Sequence, residues 1–84
     1  MSTTYTTGPT FIQINFTGQS TPGSISVPGV QVGDVVLWLS NGAGNNNVGG
    51  FEESISVADE IQQNASGGSW ANPFMGYLMR WAQQ

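Results

Sequence analysis

Cysteine, histidine and lysine are all missing from this sequence, and arginine occurs once, as Arg80. Without cysteine there is no disulfide and no thiolate metal site. Without histidine the usual nitrogen ligand of zinc, copper and haem is gone. So is the residue that most often carries acid–base catalysis near neutral pH. Ser-His-Asp and Cys-His nucleophile systems are thereby excluded. The lack of lysine removes Schiff-base chemistry and the lysine of a phosphate-binding loop. One cation against five acids gives a net charge of -4, the wrong sign for nucleic acid phosphates or anionic lipid surfaces. Neither nucleic acid nor a membrane is an expected partner, and no run approaches the ~20 apolar residues that span a bilayer. Met1 to Pro9 is Thr-rich without an apolar core, unlike a secretory signal.

What chemistry remains belongs to the acids Asp34, Glu52, Glu53, Asp59 and Glu60. Glycosidases set two carboxyls across a cleft. The adjacent pairs Glu52/Glu53 and Asp59/Glu60 point to opposite faces if they lie on strands, which leaves Glu53 with Glu60 as the one cross-pair worth testing. Calcium takes oxygen ligands, but Asp34, Asp59 and Glu60 do not follow a calcium-loop spacing, and turn capping is the simpler role. Gly42-Ala43-Gly44 runs into three asparagines rather than a helix start, so it is not a nucleotide fingerprint. The sequence is therefore expected to be non-enzymatic, without catalytic, cofactor-binding or metal residues.

What the chain does have is neutral polarity and aromatics. Charged residues make up 7% of its 84 residues, against ~25% in an average soluble domain. Ser, Thr, Asn, Gln and Gly supply the polar surface, and such groups cost less to bury than ions. A chain of this length buries only ~60% of its unfolded surface, and small domains without disulfide or metal often lean on a partner.

The hydrophobic period is that of strands. Thr10 to Phe16 alternates with Ile12, Ile14 and Phe16 on one face, and Ser24 to Val27 alternates again. Pro28-Gly29 punctuates, Val30 and Val32 resume, and Gly33-Asp34 turns into Val35-Val36-Leu37-Trp38-Leu39. That run is apolar on both faces, so both are expected to be covered, with Trp38 in the core. Ser40 to Gly50 reads as a functional or mobile Gly/Asn loop. Phe51 to Val57 reads as a strand, Ala58-Asp59 as a turn, and Glu60 to Asn64 as a short edge strand, with a helical turn over Val57 to Gln63 as the rival. Ala65 to Pro73 is a loop holding Trp70. Phe74 to Trp81 reads as the last strand, although Phe74, Tyr77, Leu78 and Trp81 also fit helical spacing. The fold class expected is all-β, a compact small sandwich or barrel of six to seven antiparallel strands. It divides into an extended N-terminal arm over 1–9 and one β domain over 10–84.

Three Trp, two Tyr and four Phe are generous for the length. Aromatics dominate interface hot spots. Tyr5, Trp70, Phe74 and Trp81 are the expected protein-contact residues, against the alternative that they close the ends of the core. Trp70 also keeps sugar stacking open.

The order Pro28-Gly29-Val30-Gln31-Val32-Gly33-Asp34-Val35-Val36, a Gly/Asn loop, Phe51-Glu52-Glu53-Ser54-Ile55-Ser56-Val57-Ala58-Asp59-Glu60-Ile61-Gln62-Gln63 and a closing Tyr77-Leu78-Met79-Arg80 covers residues 10–81. It resembles small proteins encoded among the virion structural genes of tailed bacteriophages. That resemblance implies a virion part assembled in the host cytoplasm, a cement or decoration protein that stabilises the head lattice. Its implied partners are the major capsid protein or other virion proteins, and its implied state a homo-oligomer, such as a trimer. Ser2 to Pro9 would serve as an arm anchored by Tyr5, suited to strand addition. A tail, baseplate or fibre-associated structural or carbohydrate-binding module is the alternative.

Overall fold

The computed structural model describes residues 8–81. Five strands follow in order: β1 (Thr10–Thr17), β2 (Gly23–Ser26), β3 (Val35–Ser40), β4 (Glu60–Gln63) and β5 (Pro73–Arg80). They form two antiparallel sheets, a three-stranded one ordered β1-β5-β3 and a two-stranded one ordered β2-β4. The all-β expectation holds, with five strands in place of six or seven. Two expected strands are connections instead. Val30 lies between two turns and Val32 within the second, the Gln31–Asp34 turn, so neither continues a strand. Phe51 to Val57 joins no ladder: it meets its neighbours through the isolated bridges Phe51↔Gln63 and Val35↔Ser54 and through scattered backbone bonds to Gly33, Asp34, Val36 and Gln62. Each segment buries part of its apolar set, Val30 in one and Phe51 and Ile55 in the other, while Val32 and Val57 are exposed, so the alternation is only partly a burial pattern. Of the two rival readings for Phe74 to Trp81 and for Glu60 to Asn64, the strand is the one observed in each case.

The core lies between the sheets. Ile14 and Phe16 of β1, Phe74 and Leu78 of β5, and Val36 and Leu39 of β3 face Ile25 of β2 and Ile61 of β4, with Val27, Val30, Phe51 and Ile55 filling in from the connections. Leu39, Ile61 and Leu78 are fully enclosed. The long central strand β5 pairs with all eight residues of β1, from Thr10↔Arg80 to Thr17↔Pro73.

Polar side chains fix the connections. In the Gln31–Asp34 turn, the Gln31 N–H donates to Asp34 Oδ2 at 2.9 Å and the Asp34 N–H to the Gln31 carbonyl at 3.0 Å. Arg80 at the end of β5 closes this corner, donating from Nε to Asp34 Oδ1 at 2.9 Å and from Nη2 to Oδ2 at 2.8 Å. Its Nη2 also reaches the Gly29 carbonyl. The sequence's one cation thus neutralises its one buried acid in a bidentate pair. Asp59, at a positive φ of 66°, accepts the Gly29 N–H at 2.8 Å. Buried Gln63 accepts from the Gln19 N–H and donates to the carbonyls of Gln19 and Ala65, so no buried side-chain polar atom is left unsatisfied among the described residues.

One local irregularity determines what the long sheet presents outward. Val36 pairs with Leu78, but Tyr77 meets Trp38, so Leu37 is an extra residue in β3. Such a bulge places two residues opposite one. Alternation then breaks: Val36 points inward, Leu37 and Trp38 are both exposed, and Leu39 points inward again. The expectation that Trp38 is a core residue is therefore corrected. The assumption of strict alternation fails at the bulge. Gly76 of β5, partnered by Leu39, lies against this irregular backbone. A Cβ there would run into the Trp38 carbonyl and the Leu39 side chain.

Candidate functional site: the outer face of the long sheet

Pleating sends alternate residues of each strand to the face away from the core. On β1 these are Phe11, Gln13 and Asn15, and on β5 they are Met75, Tyr77 and Met79. On β3 they are Val35 and, because of the bulge, both Leu37 and Trp38. Register arranges them in rows. Phe11, Met79 and Val35 form one row, and Gln13, Tyr77 and Trp38 the next. Phe11 is 64% exposed, Leu37, Met75 and Tyr77 each 41%, and Trp38 37%. No residue in these rows is charged. The exposed apolar area is on the order of 400 Å2, taking ~200 Å2 for each large side chain when fully exposed. Patches of that size on a single chain are commonly interaction surfaces.

The acids lie elsewhere and have structural tasks. Asp34 belongs to the Arg80 corner, and the Arg80 hydrogen bonds hold its carboxyl below the ordinary carboxylate range against the opposing effect of burial. Glu52 Oε1 accepts from the Ser56 N–H and hydroxyl, and its Oε2 from the Gln62 N–H, so it ties the 52–56 connection to β4. Asp59 caps the Pro28-Gly29 turn. Glu53 uses its carbonyl to accept the Val36 N–H, while the Glu60 side chain takes a bond from Gln62. Among the described residues no three Asp or Glu side chains gather to hold a metal ion, and no helix is long and apolar enough to cross a membrane.

The four aromatic residues expected at an interface separate in space. Phe74 is 3% exposed and stacks with Phe16 at 5.7 Å, so in the single chain it is part of the core. Trp70 is half-buried, stacked on Phe74 at 5.8 Å and edge-on to Phe51 at 5.7 Å. Its indole covers Gly50, where any Cβ would collide with the ring. Trp70 therefore closes the end of the aromatic core, the alternative weighed for it from the sequence. Trp81 is 53% exposed, just past the end of β5. Tyr5, with the arm up to Thr7, lies outside the described residues. The residues that sequence reasoning missed are Phe11, Leu37, Trp38, Met75 and Tyr77. A signal for three of them was present: Phe11 alternates with the core residues of β1, and Met75 and Tyr77 with those of β5. The bulge that adds Trp38 has no such signature.

The Asn-rich loop is tied down. Asn46 Oδ1 accepts from the N–H groups of Leu39 and Val48, and Asn47 Oδ1 from that of Asn41. Beside it a shallow depression of about 570 Å3 is bordered by Asn15, Thr17, Ser40, Asn41, Pro73 and Met75. It opens at the end of the apolar face and contains no charged group.

Comparison with known proteins finds no matching family model, no matching curated protein and no matching solved structure.

Proposed function

We propose that this chain is a non-enzymatic structural protein of a tailed-bacteriophage virion, a head cement or decoration protein that packs against the capsid lattice. The observation that carries the reading is the uncharged apolar outer face of β1, β5 and β3, centred on Trp38 and Tyr77. Burying such a face against a protein surface removes apolar area from water at ~25 cal/mol per Å2 and desolvates no ion. Scarce charge over the rest of the chain and the resemblance across residues 10–81 support the same reading. The acids are occupied in turns and corners, which is consistent with a role that requires no chemistry.

The test is binding of the full chain to heads of the encoding phage from which it has been removed. The reading expects saturable binding and a rise in the temperature at which heads break down. Trp38→Ser should abolish both and leave the fold intact, because Trp38 contributes little to the core. Absence of binding at any concentration would overturn the head assignment.

A second reading rests on one specific row. Gln13, Tyr77 and Trp38 lie side by side, two aromatic side chains and an amide, an arrangement suited to stacking a sugar ring. This moves the glycan-binding alternative from Trp70, which closes the core, to Trp38. Glycan binding that Trp38→Ser removes and Trp70→Phe retains would favour a tail or fibre-associated module.

A further inference from the structure

The long sheet has two edges, and they differ. Along β3, the Val36 N–H donates to the Glu53 carbonyl at 2.9 Å and Val35 bridges to Ser54, so residues 53–54 occupy that edge. Along β1, no described strand pairs with the side away from β5. A groove of about 340 Å3 follows this side, between residues 12–15 and the turn at 27–30. β1 also lacks the usual protections of an edge strand. It has eight regular residues, no charge, no proline and no bulge. By contrast β2, in the smaller sheet, is four residues long and is flanked by Pro22 and Pro28. β1 itself carries none of the five acids; the charges nearest its free side are Arg80, paired with Asp34, and Asp59, which caps Gly29 across the groove.

We infer that β1 is a self-association edge, pairing antiparallel with β1 of a second copy about a two-fold axis to give a continuous six-stranded sheet. The occupant follows from the edges: with the β3 side taken, the long sheet can be extended by another copy only through β1, and a single edge pairing with itself is isologous and closes at two copies. Register is limited by the pleat. A slip of one residue would set outer Phe11 and Gln13 opposite inner Ile12 and Ile14, so only even offsets keep each face intact. The two registers that pair seven residues place Gln13 opposite Gln13 or opposite Asn15 of the second copy. Either joins the two outer faces across the axis: in the first, Trp38-Tyr77-Gln13 continues into Gln13-Tyr77-Trp38, and in the second into Asn15-Met75-Ser40. The exposed apolar area doubles to on the order of 800 Å2, what a standard interface takes from one partner. Pairing itself depends on the main chain of β1 and stands apart from the reading of the face as a capsid contact.

The experiment is light scattering on the full chain over a concentration series. The expected species is a dimer. The Gln13→Lys/Asn15→Lys variant sets like charges opposite each other in both registers. It should weaken association about fivefold or more with an unchanged circular dichroism spectrum, since both positions are exposed. Mixing it with Gln13→Glu/Asn15→Glu should restore the dimer as a one-to-one hybrid. Trp38→Ser should remain dimeric even where it no longer binds heads, so loss of the face and loss of the edge read out separately. A wild-type chain that stays single at every concentration, a trimer, or a lysine variant that dimerises as well as wild type would overturn the pairing.

Discussion

At the scale of single residues, the most consequential contact is the one between Asp34 and Arg80. Asp34 is 2% exposed, and its carboxylate joins the 31–34 turn to the end of β5 and, through Arg80, to Gly29. Its pKa is lowered in the folded chain from 3.8, chiefly by the hydrogen bonds from Arg80. The stability it contributes is therefore complete above the unfolded-state value and is lost as pH falls below that value and through the lowered folded one. Thermal unfolding should be nearly flat in this contribution from neutral pH down to about 5 and should weaken steeply below about 4. Asp34→Asn should cost about 2–3 kcal/mol at pH 7, reduced from the figure for fully buried pairs because Arg80 remains part-exposed. The same substitution should flatten the acid limb of the pH profile. A profile unchanged by it would contradict the role given to this pair.

Gly76 is the second residue on which the architecture turns. It is the point where the β5 backbone lies against the bulged backbone of β3. Gly76→Ala should destabilise by about 1–3 kcal/mol or more by overpacking, measured by urea unfolding. Alanine at neighbouring Met75, which is exposed, should change stability by less than about 0.5 kcal/mol.

At the scale of elements, the bulge in β3 decides which side chains the outer face presents. Deleting Leu37 would leave Val36, Trp38 and Leu39 opposite Leu78, Tyr77 and Gly76, so plain alternation would return with Trp38 still on the outer face. The deletion should keep a dispersed amide spectrum with the Trp38 indole still open to solvent, and a Trp38 indole that becomes protected would contradict the bulge. This element also marks where the sequence ceases to be legible. Strands β1 and β2 could be read from their alternation, β3 and β5 from runs largely apolar on both faces, and the turns at Pro28-Gly29 and Ala58-Asp59 from their residue chemistry. Phe51 to Val57 alternates like a strand and buries Phe51 and Ile55, though not Val57, yet its backbone bonds to residues 33–36 and 62 are scattered and form no ladder. Periodicity reports burial and is silent about pairing. Likewise Trp38 had to be assigned by phase, and one inserted residue reverses phase. Asparagines 46 and 47 read as loop composition, whereas their side chains act as specific acceptors that anchor the loop to β3.

At the scale of the whole molecule, the chain is divided by chemistry. The smaller sheet and its connections hold the acidic residues of the 52–60 segment. The outer face of the larger sheet is apolar and uncharged, and one of its edges is open among the described residues. Phe11, Leu37, Trp38, Met75 and Tyr77 are exposed together there, and this is the area that the proposed protein contact would cover. Candidate contact residues chosen from the sequence for their aromatic character alone included Phe74 and Trp70, which serve the core. Neither residue type nor position near a terminus distinguishes a core aromatic from a surface one, whereas strand register does. The central claim is that this face binds the virion lattice, and co-sedimentation with stripped heads tests it most directly. The account predicts saturable binding by the wild-type chain, lost in a Trp38→Ser/Tyr77→Ser variant that still unfolds cooperatively at close to the wild-type temperature. Binding by that folded variant with undiminished affinity would contradict it.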